Sequence, residues 1–325
     1  MGRRSVWSDE RVIAATAAFA TAADEVWRLQ RDQDPECRWF RQAARGTPEP
    51  VAGSMQGTYV FTPDGELLGR LNSTDPARVL AMLDRALARW RALPNSRRAS
   101  RPAPEARPRH RWEDSCPDDG LVLERFARDV GATPTGPAAT PVNRDTVWFS
   151  AAELRGLLPA RGEVGATRTV APALGERLAR FAFVDNVRGQ TLPFSRASVR
   201  AARLSSEVVA VEAGRWTLRV TGETNAATDG NDPGEGYWRP KRPWPRSVRT
   251  RVVGEATWDP EARRFDRFEL VAVGTRTGRT TFNGRAREEQ GSEHRIGFLL
   301  RVAPPGDRVA PTFVNLYDVP WIKTP

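Results

Sequence analysis

Residues 247–273 read SVRTRVVGEATWDPEARRFDRFELVAV, and their pattern decides the larger part of the fold. Val248, Val252, Ala256 and Trp258 fall on one side of an extended chain, and Arg249, Arg251, Glu255 and Thr257 on the other. That is the two-residue period of a strand with one dry and one wet face. Ser247–Trp258 and Phe265–Val273 are therefore predicted to pair as a hairpin across Asp259–Arg264. Val208–Val211 and Trp216–Val220 flank Glu212–Arg215 in the same way, and His294–Val302 reads as a further strand. Two short helices are predicted, over Ala151–Leu158 and Ala173–Arg180. The expectation for residues 113–325 is a mainly antiparallel β domain, either a barrel or a sandwich.

Upstream of this region the punctuation changes. Residues 95–112 are rich in Arg, Pro and Ala, with Pro102, Pro104 and Pro108 set against a helix, and they read as a linker. Residues 1–94 then form a separate domain with mixed signals. Val12–Ala23 is a candidate strand whose alanines also suit a helix. Asp34–Arg45 is helical, with Asp34 as N-cap, Pro35 at the first helical position and Gly46 just past the end. Gly57–Phe61 and Glu66–Leu71 are strands joined by the turn Thr62-Pro63-Asp64-Gly65. Asp75 and Pro76 open a second helix whose Val79, Leu80, Met82, Leu83, Ala86, Leu87 and Trp90 recur at helical spacing.

Charge and cysteine content narrow the classes. The net charge is +10, and 48 of the 50 basic residues are arginine. Basic and acidic side chains number 13 and 12 in residues 1–94, 6 and 1 in residues 95–112, and 31 and 27 in residues 113–325. Half of the excess thus lies in the linker and not on a folded face, so nucleic acid is a permitted partner without being a favoured one. Two cysteines, Cys37 and Cys116, make no disulfide framework. They suit free thiols in a reducing, cytoplasmic setting. Secretion is the alternative, and the Ala- and Thr-rich centre of Val12–Ala23 is a poor signal core for it. No stretch has the length of apolar sequence that a membrane helix needs.

The stretch Gly57-Thr58-Tyr59-Val60-Phe61-Thr62-Pro63-Asp64-Gly65-Glu66-Leu67-Leu68-Gly69-Arg70, followed by the Asp75–Trp90 helix, resembles the closing hairpin and last helix of thioredoxin-like proteins. The resemblance implies an α/β domain over residues 1–94 and an α+β class for the whole chain. It also shows what is missing. Where that family carries Cys-x-x-Cys this chain has Asp34-Pro35-Glu36-Cys37-Arg38-Trp39-Phe40, and Gly57 stands where the family's cis-proline is expected. The resemblance therefore implies a redox-inactive module. A lone Cys37 near a helix N-terminus is the one catalytic candidate, favoured by the dipole and opposed by Asp34 and Glu36.

The second region offers binding candidates and no recognised catalytic motif. With His110 and His294 as the only histidines, metal and acid–base chemistry have little material, and no metal or cofactor is expected. The Gly222–Gly236 stretch holds Asp229, Asn231, Asp232 and Glu235, but its spacing does not fit a calcium loop and it reads as a solvated connection. Tyr237–Arg246 interleaves Trp238 and Trp244 with Arg239, Lys241 and Arg242, and no acid interrupts the run to Arg251. Aromatics beside cations are the elements of a site for single-stranded nucleic acid or another anionic or planar ligand. Phe181–Thr191 sets Asp185, Asn186, Arg188 and Gln190 behind an apolar run, where they either line a ligand mouth or tie down a loop. The leading expectation is a non-catalytic two-domain binding protein. A single-thiol redox enzyme using Cys37 and a nucleic-acid or anion binder using the Trp238–Arg251 segment are the alternatives.

Overall fold

The computed structural model describes residues 6–7, 9–73, 75–98, 111–131, 142–231, 234–236, 239–240, 242, 244–306 and 308–323. Trp238, Lys241, Asp232, His110 and most of the expected linker lie outside the described residues. The chain divides into two compact units, Met1–Arg109 and His110–Pro325. Among the described residues no helix is long and apolar enough to cross a membrane. The class is α+β: helices, a two-stranded sheet in the first unit and an eight-stranded antiparallel sheet in the second.

In the first unit the order is α1 (Glu10–Thr16), α2 (Val26–Arg31), α3 (Pro35–Arg45), β1 (Thr58–Phe61), β2 (Leu67–Leu71) and α4 (Pro76–Ala92), with a last helical turn, α5, at Asn95–Arg98. The strand expected within residues 12–23 is instead helix α1 and irregular chain. Asp9 caps it by accepting from the Arg11 amide, its alanines favour the helix, and Val12 is its one buried residue, so a strand would have had nothing to pair or pack with. α3 begins and ends as its sequence dictates. The Asp34 carboxylate accepts from the Cys37 amide at 3.0 Å, and Gly46 closes the helix at φ 75°.

β1 and β2 pair antiparallel with Tyr59 opposite Arg70. A lone hairpin is marginal in water, and here both of its faces are covered. Val60 and Leu68 pack with Val79, Met82, Leu83 and Ala86 of α4 and Val12 of α1. On the opposite face Tyr59 and Phe61 meet Trp39 and Phe40 of α3, edge to face at 5.2 Å for Phe40–Tyr59 and 5.5 Å for Trp39–Phe61. Each large apolar side chain so buried contributes about 1.5–3 kcal/mol.

The second unit contains β3 (Leu121–Asp129), β4 (Val142–Phe149), α6 (Ala151–Leu154), β5 (Thr167–Thr169), α7 (Pro172–Arg177), β6 (Val199–Glu212), β7 (Arg215–Thr228), β8 (Arg246–Asp259), β9 (Arg264–Gly278) and β10 (His294–Val302). The sheet order is β4-β3-β10-β9-β8-β7-β6-β5. β4 and β5 are its edges and do not meet, so no barrel is closed. Nor do the described residues of this unit form a second sheet to make a sandwich. α6, α7 and the C-terminal turns do that work instead, since Leu154, Leu174, Leu178, Phe313 and Tyr317 join the core on the sheet's dry face. Along β8 the expected alternation holds: Val248, Val252, Ala256 and Trp258 are buried, while Arg249, Arg251 and Glu255 are exposed. β7 runs to Thr228, so nearly half of the Gly222–Gly236 stretch is strand and not loop. The first short helix is shorter than expected, at Ala151–Leu154, and the second, Pro172–Arg177, continues as a wider, π-type turn to Ala182.

Candidate functional site

The dry face of the sheet carries charge where its register should carry hydrocarbon. Leu270, Ala272 and Arg276 all lie buried on one side of β9, and Leu121, Leu123, Arg125 and Ala127 do the same on β3. A buried cation is tolerable when its hydrogen bonds are filled, and here they are filled by the loop that follows α7. Arg125 Nε and Nη2 donate to the carbonyls of Ala182 (2.7 Å) and Val184 (3.0 Å), and Nη1 to Asn143 Oδ1 and Asn186 Oδ1. Burial brings this guanidinium down to about 10, still a cation at neutral pH.

Arg285, whose side chain is wholly buried, is the hub of a second network. Its Nε and Nη2 donate to Asp185 at 2.9 and 2.8 Å, and its Nη1 and Nη2 to Asp129 at 3.0 and 2.6 Å. Arg276 holds Glu288 in a two-pronged pair at 2.7 and 2.8 Å, and Arg188 Nε donates to Asp129 at 2.8 Å. Three guanidiniums thus meet three carboxylates. Although burial alone would raise Asp129, the hydrogen bonds from Arg285 and the nearby cations hold its carboxyl below the ordinary value; Glu288 is lowered in the same way, chiefly by Arg276. Asp185, Asn186 and Arg188, read from sequence as either mouth or anchor, are placed here as anchors. Gln190 is exposed, and its carbonyl accepts from Thr280 Oγ1 at 3.4 Å. The loop lies so close to its neighbour that a Cβ on Gly189 would sit 2.0 Å from the Phe282 carbonyl oxygen.

A chain of hydrogen bonds leads from the network to an open cleft. Asp185 Oδ2 accepts from Asn283 Nδ2 at 3.3 Å, Asn283 Oδ1 accepts from the Thr280 amide at 3.1 Å, and Thr280 is part of the cleft wall. Leu192 and Pro193 form another part of the wall, and their carbonyls accept from Arg246 Nη1 and Nη2 at 3.1 and 2.7 Å. Of the two segments singled out in the sequence, the 239–246 segment gives Pro240, Arg242, Trp244 and Arg246 to the lining, while Asp185, Asn186, Arg188 and Gln190 do not line the cleft. Its space is about 370 Å³ with the open mouth included. Trp244 stands at the wall with the Arg279 guanidinium 4.4 Å from its ring centre, and Arg279 Nη1 is fixed by the Ala286 carbonyl at 2.8 Å. Arg242, Arg246 and Arg279 line the cleft with Thr280 and Thr281, and among the described lining residues there is no carboxylate. Neither Arg242 nor Arg279 has a carboxylate within ion-pair distance among the described residues. Arg239 is exposed in the same segment and does not line the cleft.

Elsewhere the candidate groups are occupied. Cys37 is fully buried in the first turn of α3, with Arg28 Nη1 3.1 Å from its sulfur. Burial first, and the adjacent Asp34 carboxylate second, push its thiol up to about 12. Neither Cys37 nor Cys116 is in a disulfide. Glu235 accepts from the Arg180 guanidinium and the Arg196 amide, and Asp229 from the Asn231 amide, so the oxygens of that stretch serve local contacts. Among the described residues no group of His, Cys, Asp and Glu is arranged to hold a metal.

Sequence reading missed Arg279, Thr280 and the hub Arg285, and held Arg246 within the Tyr237–Arg246 run without naming it as a site residue. A usable signal did exist for one of their partners, since Arg276 occupies the dry register of β9 and a charge there demands compensation. No family model, curated protein or solved structure matches the chain.

Proposed function

We propose that this chain is a non-catalytic, two-domain binding protein whose second unit holds an anionic ligand in the Trp244–Arg279 cleft. The observation that carries this is the charge of the lining: three arginines and three threonines, with no carboxylate among the described lining residues. Arg242 and Arg279 have no carboxylate within ion-pair distance among the described residues, and cations so placed in a concave site are the complement of an anion. The first unit is then a thioredoxin-like module without dithiol chemistry. Support for that is the order of α3, the β1–β2 hairpin and α4, with helices on both faces of the hairpin. Cys37 takes a packing role in this reading, because a buried thiol held protonated is a poor nucleophile.

The test is retention of the full chain on heparin, comparing wild type with Arg242→Glu/Arg279→Glu. A charge-matched control, Arg128→Glu/Arg155→Glu, changes two exposed arginines away from the cleft. The cleft variant should elute at clearly lower salt than the control. Equal elution of the two variants would remove the proposal.

A further inference from the structure

We infer that this chain pairs with a second copy of itself through the wet face of the sheet, with a two-fold axis running across the strands from β6 to β10. A row of directly opposed residues crosses that face: Ser205, Thr221, Val253, Val271 and Leu299, one from each strand in turn. Val253 and Val271 are 57% and 41% exposed, and Leu299 beside them is half-buried. Single apolar side chains on a surface need no explanation, but these three are contiguous at the middle of the sheet. The charges beside the row decide what covers it. On one flank lie Arg203, Glu223 and Arg251, in register on β6, β7 and β8, and on the other lie Glu207, Arg219 and Glu255. Each of these strands thus carries an arginine on one side of the row and a glutamate on the other, and the sign alternates from strand to strand.

A two-fold axis along the row exchanges the flanks, so every charge on one copy faces its opposite on the other: Arg203 faces Glu207, Glu223 faces Arg219 and Arg251 faces Glu255. On β9 and β10 the exchange sets Glu269 against Val273 and Arg301 against Gly297, and no like charges meet. The six flanking charges cancel, which leaves the face no net sign for nucleic acid or for an acidic or basic partner. The side chains need not be unpaired for this. Arg203–Glu223 at 3.1 Å and Arg219–Glu207 at 3.9 Å are exposed pairs across neighbouring strands, weak by themselves, and each charge gains a second opposite neighbour from the partner copy. Arg251 is exposed and has no carboxylate within ion-pair distance among the described residues, so Glu255 of the other copy is a new partner for it. Five strands about 4.8 Å apart, with five alternate residues along each, cover on the order of 800 Å² per copy. That is the size of a standard interface.

The experiment is sedimentation velocity of the full-length protein over about 1–200 µM, a range that reaches weak association. Wild type should pass from monomer to dimer as concentration rises. Arg251→Glu and Glu255→Arg each place like charges opposite one another at both symmetric contacts, and each should weaken the dimer about tenfold or more. In an equimolar mixture of the two variants the reversed charges complement each other at both contacts. Dimer formation there should return to within about threefold of wild type, a recovery that no repair inside one chain can produce. Both positions are exposed, and thermal melts check that the variants are folded. If either melts early, Arg203→Glu mixed with Glu207→Arg repeats the exchange on β6. A wild type that stays monomeric throughout would overturn the inference. So would a dimer that either variant leaves intact, because another face then holds it. A mixture that associates no better than its separate components would overturn it too, because the flanks then do not face each other across a two-fold axis.

Discussion

Arg285 and Arg279 lie six residues apart and are used in opposite ways. Arg285 is enclosed, and its five N–H donors are spent on Asp129, Asp185 and Glu288. Arg279 is half-buried, rests on an indole, gives one hydrogen bond to a carbonyl and has no carboxylate partner among the described residues. A saturated cation is a tie between segments: Arg285 joins the end of β3, the loop after α7 and the segment beyond β9. An unsaturated one is a place where something else can bind. The first unit makes the same point from another side. Its Arg41 is completely buried yet has carbonyls for partners, those of Leu29, Asp32 and Pro48, two of them at the C-terminal end of α2 where the helix dipole is negative. Burial of arginine is thus routine in this chain, and only the partner tells structure from function.

The largest expected effect comes from breaking the tie. Arg285→Met leaves Asp129 and Asp185 buried without their principal counter-charge, and urea denaturation should show a loss of about 3–5 kcal/mol. Replacing Met82 by alanine in the first unit opens a cavity between α4 and the hairpin and should cost about 2–5 kcal/mol, read in the same way, without touching anion binding. Acid gives a graded version of the first experiment. Asp129, Glu153 and Glu288 have folded-state values below their ordinary 3.8, 4.5 and 4.5. A carboxylate lowered on folding stabilises the fold above its unfolded value and loses that contribution as pH falls through its folded value. Stability should therefore be flat from neutrality down to about pH 5 and decline below about pH 4.5. Asp129→Asn should flatten that decline. The smallest effect is kinetic. Cys37, with its thiol raised to about 12, should react with iodoacetamide more slowly than free cysteine at pH 7.5, and labelling at the free rate would contradict its packing role.

Much of this architecture was written locally. α3 announces itself through Asp34, Pro35 and Gly46, the β1–β2 hairpin through Thr62-Pro63-Asp64-Gly65, and β8–β9 through strict alternation, because caps, turns and period depend on near neighbours. The elements that were missed depend on distant ones. β3 and β4 contain Glu124, Arg125 and Asp145, all buried, so their charges disguise strands that hydrogen bonds to remote segments make tolerable. The residues 12–23 failed in the opposite sense, since an Ala-rich run without a partner strand takes the helix its cap offers. For the cleft, Trp244 and Arg242 could be picked out as unusual, and the 185–190 loop as polar. That residues 192–193, 242–246 and 279–281 share one wall was invisible, because Arg246 binds carbonyls 54 and 53 residues away and Thr280 one 90 residues away.

The contrast between the two arginines is also the most direct test. Phosphate affinity and thermal stability should be measured side by side for wild type, Arg285→Met and Arg279→Met. The account predicts that Arg285→Met melts far earlier, while Arg279→Met stays within about 1 kcal/mol of wild type and loses phosphate binding. If Arg279→Met binds phosphate as wild type does, or destabilises the fold as much as Arg285→Met, the distinction between a saturated tie and a vacant cation is wrong, and the cleft with it.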